Sequence, residues 1–411
     1  MNSTPYDVLI VGGGMVGTSL AIALAGRGLR LAMVEAVPFR SAGQPSYDDR
    51  AIALSHGSRC IFDAIGLWDA LAPATTPIER IHVSDQGHFG ITRMDAAEEG
   101  VAALGYVITG RALGEALVRH AHDLAGVDLI SPASLRALQP GDELATATLD
   151  RDGEVITLSA RLVVAADGSD SAVRRLLDIP LREHDYGQSA IIANLSPQRP
   201  HRNVAYERFT PHGPLALLPL SDKGGLPRCA LVWTHDPAQS EHLLALDDAA
   251  FLGELQRAFG TRLGRLQRVG RRASYPLCLR QAREQIRPRL ALIGNAAHTL
   301  HPIAGQGLNL GLRDVAALAE VIDDARQAGH DPGTRAVLED YARWRESDQR
   351  QVIGFTNTLV RTFSNRFPPL SLARNLGLVA TDLLPSIKHT LARRAMGHGG
   401  RLPRLARGLS L

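Results

Sequence analysis

Apolar residues follow two rhythms along this chain. The first is continuous: "VLIV" at 8–11, "LAMV" at 31–34, "LVVAA" at 162–166 and "LALI" at 290–293 are unbroken runs closed by glycine or charged residues. Such runs predict strands of a parallel sheet buried on both faces. Between them, apolar positions recur at helical spacing in "MVGTSLAIALAGRG" (15–28), "TGRALGEALVRHAHDLAG" (109–126), "GLNLGLRDVAALAEVIDDAR" (307–326) and residues 336–364. Alternation of the two predicts an α/β unit. From 181 to 282 the rhythm changes. "QSAIIANL", "VAYERFT", "PLALLPLS" and "RCALVWTH" are short strand-like runs parted by turn residues, with one helix, "LDDAAFLGELQRAFG", among them. This predicts a mainly antiparallel sheet inserted into the α/β unit, so the fold is α/β in its first part and α+β overall.

Composition narrows the class. The 411 residues are 45% hydrophobic and 21% charged, the balance of a globular protein. No apolar stretch reaches the roughly 18 residues of a membrane-spanning helix. The start, "MNSTPYDVLIVGGG", lacks the basic and apolar regions of a signal peptide, so a cytoplasmic location is expected. Cys60, Cys229 and Cys278 are far apart and match neither a disulfide framework nor a metal knuckle, and no metal is expected. The formal charge of +3 hides an asymmetry: from Arg366 onward there are eight basic residues and one acidic, +7, which leaves −4 for the rest. In this tail leucine clusters alternate with arginines. A basic amphipathic segment of this kind suits the inner face of a bacterial membrane or a docking partner, and a packed helix with a basic end reads equally well. Nucleic-acid binding is not expected, since no recognition motif accompanies the charge.

Chemistry enters at "LIVGGGMVGTSL". Gly12, Gly14 and Gly17 form G-x-G-x-x-G between a strand and a helix, the context in which the motif cradles a dinucleotide pyrophosphate. The first glycine permits the turn, the second lets phosphate approach the backbone, and the third lets helix and strand close. The phosphates then face a helix N-terminus. Glu35, after the second strand, is placed to accept from a ribose hydroxyl.

The glycine loop alone does not separate NAD from FAD. Two later segments do: "ADGSDSAVRR", with Asp167, Gly168, Ser171 and Arg174, and "IGNAAHTLHPIAGQGLNLGLRD", with Gly294, Asn295, Pro302, Gly305, Gly307, Asn309 and Asp314. With all three motifs in this order, the chain resembles the FAD-dependent aromatic hydroxylases of the para-hydroxybenzoate hydroxylase type. "DDRAIALSHGS", "IHVSDQGHFG", "YERFTPHGPLALLP" and "LHPIAGQGLNLGLRD" narrow the resemblance to the ubiquinone-biosynthesis hydroxylases, nearest to those acting on 2-polyprenyl-6-methoxyphenol, over most of the chain up to about residue 385.

The resemblance implies a discontinuous, Rossmann-like FAD-binding domain (1–75, 105–180 and 283–365), a substrate domain (76–104 and 181–282) and a helical tail (366–411). It implies that Asp167 and Gly168 lie near flavin and nicotinamide positions. Gly294 and Asn295 would hold the ribityl chain, and Pro302, Gly305, Gly307 and Asn309 would lie by the flavin ring. Arg50 and Arg111 fall where relatives have cofactor-contacting bases. Asn295 departs from the family's aspartate; it keeps hydrogen-bonding capacity without charge. The implied reaction is reduction of FAD by NADPH or NADH, which binds transiently because no second dinucleotide fingerprint occurs. Addition of oxygen would then give a C4a-hydroperoxide, and a polyprenylated phenol would be hydroxylated. Any catalytic base stays unassigned: His301 and His212 are candidates, and a structural role suits each as well. A flavin reductase or oxidase acting on another lipid, or a flavin-binding scaffold in a biosynthetic assembly, stays open as an alternative. So do the ring position and the oligomeric state.

Overall fold

The computed structural model describes residues 4–40, 47–300, 305–363 and 368–411, with side chains throughout except at 355–363, 368–374 and 376. The continuous apolar runs build an eight-stranded sheet around Tyr6–Val11. This strand pairs in parallel with Leu31–Val34 on one side and Glu154–Ala165 on the other. Val127–Ile130 and Leu290–Leu292 extend the sheet in the same sense. The chain builds one side first and the other later. The carboxyl ends of the two central strands therefore meet at a topological switch point, where such sheets open a crevice.

One face of this sheet is covered by helices Met15–Leu24, Gly110–His122 and Gln306–Gln327, whose Leu20, Leu24, Leu117, Leu312 and Val315 pack with Val8 and Ile10. The other face is covered by a feature absent from the apolar pattern. Strands Ser134–Pro140 and Ala145–Arg151 form an antiparallel hairpin that pairs onto Glu154–Ala165. "ATATLD" alternates alanine with threonine, and so small a contrast hides the period of two. Its Ala147 and Leu149 are nonetheless fully buried against Leu9, Val163 and Leu290.

The second sheet has nine strands. Leu181–Pro197, Val204–Thr210, Gly213–Lys223, Leu226–His235 and Ala273–Ala282 form its body. Arg80–Asp85 joins Val204–Thr210 in parallel, and Ile91–Asp95 follows it. Two helices, not the single one expected, interrupt the strands. Pro237–Ala245 starts at Asp236, which caps the Gln239 N–H at 2.8 Å, with Pro237 at a first-turn position that lacks a partner anyway. Asp248–Phe259 starts the same way at Asp247. Both helices lie on one face, where Phe251, Leu255 and Phe259 cover Ile191, Ala193, Leu215, Leu231 and Trp233. Truncating Phe251 there would cost about 3–5 kcal/mol. The alternate residues on the opposite face, Ile192, Asn194, Ala216, Leu218 and Val232, are only half-buried. A three-stranded sheet, Ala51–Ser55, Thr76–Ile78 and Gly105–Thr109, packs through Ile78 and Val107 against Ala205, Leu220 and Ala230.

Residues beyond 367 fold as helices Pro368–Leu383 and Pro385–Ala395 and then return to the first core. Thr92 Oγ1 donates to the Leu378 carbonyl at 2.7 Å, and the Gly57 N–H donates to the Met396 carbonyl at 2.8 Å. Leu405 and Ala406 are buried in the same cluster as Leu20. Three of the eight basic residues are engaged within the protein. Lys388 pairs with Glu98 at 2.9 Å, Arg404 pairs with Glu320 and Asp324, and Arg401 lies 3.9 Å over the Trp344 ring. What the tail exposes is instead an apolar corner: Leu383 is 72% exposed, with Leu384 and Ile387 beside it. Among the described residues no helix is long and apolar enough to cross a membrane.

Candidate active site

The glycine loop lies at the switch point. Gly12 has φ +108°, and a β-carbon there would stand 2.5 Å from the Ala166 carbonyl oxygen. At Gly17 it would stand 1.9 Å from the Gly12 carbonyl oxygen. Both positions exclude any side chain, so helix and strands close to backbone contact. Gly14 is the N-cap of Met15–Leu24, in extended conformation and without a side-chain cap. Its positive helix end is therefore left to an outside acceptor. The Glu35 carboxylate accepts the Gly13 N–H at 2.6 Å and the Val37 N–H at 3.1 Å. These two bonds fill half of its roughly four acceptor sites, and the rest can take hydroxyls. Beneath the loop Tyr47, overlooked in the sequence, donates to the Gly13 carbonyl at 3.3 Å. Burial pushes its hydroxyl well above the usual tyrosine range.

The second and third motifs are locked to each other. Asp167 follows Glu154–Ala165; its Oδ2 accepts the Val173 N–H at 3.1 Å, while Oδ1 is buried without a partner among the described residues. Burial raises this carboxyl, against the lowering effect of the Ser171 hydroxyl and backbone N–H groups. Gly168 adopts φ +79°. Arg174 is buried and reaches across to the Ala296 carbonyl at 2.6 Å, so the motif arginine is a strut between the two loops. Gly294, at φ +57°, lies against Val16 of the first helix. Asn295 beside it is exposed.

The Gly294 N–H donates to Asp314 Oδ2 at 3.0 Å, His298 Nε2 donates to the same oxygen at 2.6 Å, and Arg345 Nε reaches Oδ1 at 2.7 Å. Burial alone would raise the Asp314 carboxyl. His298 and Arg345 outweigh it and hold the group well below the usual carboxylate range. Arg345 and Arg313 both continue to Asp348. His298 thus holds the turn. Its Nδ1 is buried without a partner among the described residues.

Gly305, in the left-handed region at φ +62°, caps Gln306–Gln327, again without a side-chain cap. A β-carbon there would lie 2.9 Å from Ala53, whereas one at Gly307 would meet nothing within 4 Å. The Asn309 side chain is engaged within the protein. Its Oδ1 accepts from the Ser55 N–H and the Ser58 hydroxyl, and its Nδ2 donates to the carbonyls of Ala53 and Gly305. All four of its hydrogen bonds are spent inside the protein. Pro302 and His301 lie outside the described residues. Arg50 binds Asp48 at 2.5 Å and lies over the Tyr275 ring of the second sheet, so it crosses the groove. Arg111 pairs with Asp49 at 2.8 Å on the surface. His212 is not brought to the half-open sheet face: it sits exposed on a turn, its ring 5.4 Å from His235, which packs on Trp233 on the helix-covered side.

These residues fit a dinucleotide. Two uncapped helix ends, bare glycine backbone, an orphaned buried Asp167 oxygen and an exposed Asn295 border one groove. The model of the FAD binding domain family matches residues 5–356. The ubiquinone hydroxylase UbiL of Rhodospirillum rubrum is 41% identical over 98% of this chain and 93% of that one. The 3-demethoxyubiquinol 3-hydroxylase of Escherichia coli is 36% identical over 97% of this chain and all of its own. In fold, the chain is similar to p-nitrophenol 4-monooxygenase PnpA of Pseudomonas putida, with a TM-score of 0.79 at 21% identity over 98% and 100% of the two chains.

Proposed function

We propose that this chain, which belongs to the FAD-binding flavin monooxygenases and among them to the ubiquinone-biosynthesis hydroxylases, adds a hydroxyl group to the ring of a polyprenylated phenol. FAD is the cofactor, with NADPH or NADH and molecular oxygen as co-substrates. The flavin supplies the oxygen-activating chemistry once reduced. The chain's part is to bind, orient and exclude water.

Residues 1–75, 105–180 and 283–365 form the FAD-binding domain in this reading, and 76–104 with 181–282 the substrate domain. The backbone of Gly12, Gly14 and Gly17 takes the pyrophosphate, and Glu35 takes the ribose. Asn295 takes the ribityl hydroxyls, and the Gly305–Gly307 backbone takes the flavin edge, where the end of a 22-residue helix favours negative charge on the reduced ring. Asp167, Gly168 and Arg50 border the same groove.

One observation carries the substrate assignment. The second sheet leaves Ile192, Ala216 and Val232 half-buried on the face opposite its helices, beside Leu218, which packs on the three-stranded sheet. Such a wall suits an aromatic ring bearing a hydrocarbon tail. The exposed corner at Leu383, Leu384 and Ile387 suits contact with the membrane in which that tail dissolves.

The test is anaerobic reduction of the holoprotein by NADPH or NADH, followed by labelled oxygen with and without a prenylated phenol. Label in the phenol supports the reading; flavin that reoxidises without marking any phenol overturns it. For the corner, Leu383→Asp with Leu384→Asp should lower flotation with anionic vesicles, and unchanged flotation retires the membrane contact.

A further inference from the structure

The wall of the cleft carries a carboxylate in the middle of an otherwise apolar row. Along Val204–Thr210 the side chains of Ala205, Glu207 and Phe209 share a face. Tyr206 points the other way, its ring edge-on to Phe259 at 5.6 Å. Glu207 stands in register with Val83 on one side and Ala216 on the other, and the row continues through Val232, Ile192 and Ala273. Every member of this row is half-buried.

The ends of the row's surroundings are fixed. Ala205 packs with Val107 and Ala51. Two residues beyond Ala51, Ala53 abuts the Gly305 turn. Phe209 packs against Leu378 of the tail helix. Glu207 thus stands between a residue that packs on the three-stranded sheet and one that packs on the tail helix, and is itself half-buried.

Glu207 makes no hydrogen bond and no ion pair among the described residues. Among the described residues, Arg208 and His82 belong to the helix-covered face, and Asp85, in register with Phe209, receives the Asn375 amide at 2.9 Å. Burial pushes the Glu207 carboxyl up to about 7. A carboxyl in an apolar wall is costly without a partner, and a base poised near the working pH is effective.

We propose that Glu207 receives the hydroxyl of the phenol in this cleft and takes its proton during ring hydroxylation. The inference rests on the hydroxylase reading above. The ring carbon forms its new C–O bond as the O–O bond of the activated oxygen breaks, with NAD(P)H as the source of the two electrons that leave the second oxygen as water. Electron density for that bond is pushed from the phenol oxygen, whose O–H pair is freed as its proton passes to the Glu207 carboxylate. When the hydroxylated carbon loses its hydrogen as a proton to water, Glu207 returns its own proton to the phenol oxygen and the carboxylate is restored.

The test uses FAD-loaded wild type, Glu207→Gln and Glu207→Asp, a short-chain prenylated phenol and its methyl ether. Wild type should bind the phenol at least about 10-fold more tightly than the ether, read from the flavin spectrum, and Glu207→Gln should erase that preference. Its kcat should fall roughly 100-fold, with FAD content and substrate-free reduction by NAD(P)H unchanged. Glu207→Asp should recover part of the rate. The wild-type rate should rise with pH around about 7, and that limb should vanish in Glu207→Gln. A Gln variant with wild-type rate and pH limb overturns the proposal. So does a wild type that binds phenol and ether equally, a measurement that stands even where the variant fails to fold. A wild type that prefers the phenol but hydroxylates none would sink the hydroxylase reading and leave Glu207 as the hydroxyl acceptor.

Discussion

Glu207 should announce itself in stability as well as in rate. Its carboxyl titrates near 4.5 in the unfolded chain and near 7 in the fold, so ionisation is harder when folded. The penalty is absent below about pH 4.5, grows to pH 7 and is complete above it. Glu207→Gln should therefore match wild type at pH 4 and exceed it at pH 8, by up to about 3 kcal/mol. Denaturant melts at the two pH values would show this, and equal differences at both would count against a partnerless carboxyl. At the glycine loop, Gly17→Ala must drive the first helix off its strand, because the added carbon falls 1.9 Å from a carbonyl oxygen. Overpacking of this kind costs about 1–3 kcal/mol, and the purified protein should lack flavin absorbance. Gly12 and Gly17 could be read from spacing because bare backbone leaves a compositional mark. Glu207 could not: "YERF" shows an acid in a strand, and only the register reveals that it faces the cleft.

At the scale of elements, one buried carboxylate joins three pieces. Asp314 on helix Gln306–Gln327 holds the Gly294 turn and Arg345 on helix Arg335–Phe363. Asp314→Asn would leave Arg345 with Asp348 alone and should cost about 3–5 kcal/mol. Because the carboxyl is held low in the fold, the stabilisation is full above the unfolded value of 3.8 and is lost only as pH falls further. The deficit of the variant should be the same at pH 6 and pH 8, read by denaturant melts beside FAD retention. The strand runs and long helices were legible because their apolar periods are strong. The hairpin at 134–151 was not, since alanine and threonine contrast weakly. Helix Pro237–Ala245 announced itself only through its Asp-Pro start. Arg345 carried no sequence signal, because an arginine in a helix reads as solvated until a partner 31 residues away comes into view.

For the whole molecule, the returning segment after Ala395 matters most. Composition marked it as basic, suiting a membrane, a docking partner or a packed end equally; in the fold Arg404 finds Glu320 and Asp324, Arg401 lies over Trp344 and Leu405 enters the first core. Deleting residues 397–411 should lower the melting temperature by several degrees and weaken FAD retention, since Leu405 and Ala406 pack in the cluster that supports the glycine-loop helix. His56 Nδ1 and Nε2 of His398, in this segment, meet at 3.0 Å. Burial first, and His398 second, lower His56 to about 4. Both rings stay neutral in the fold, so stability at this contact is full above the unfolded value of 6.5 and declines as pH drops toward 4. A deletion variant should lack that part of the decline.

The bare Leu383–Leu384 corner invites a protease, and the anchors at Met396, Arg404 and Leu405 lie beyond it. A molecule cut at that bond would keep both fragments in one particle. It would migrate as a single species on a sizing column and part into two bands only in detergent.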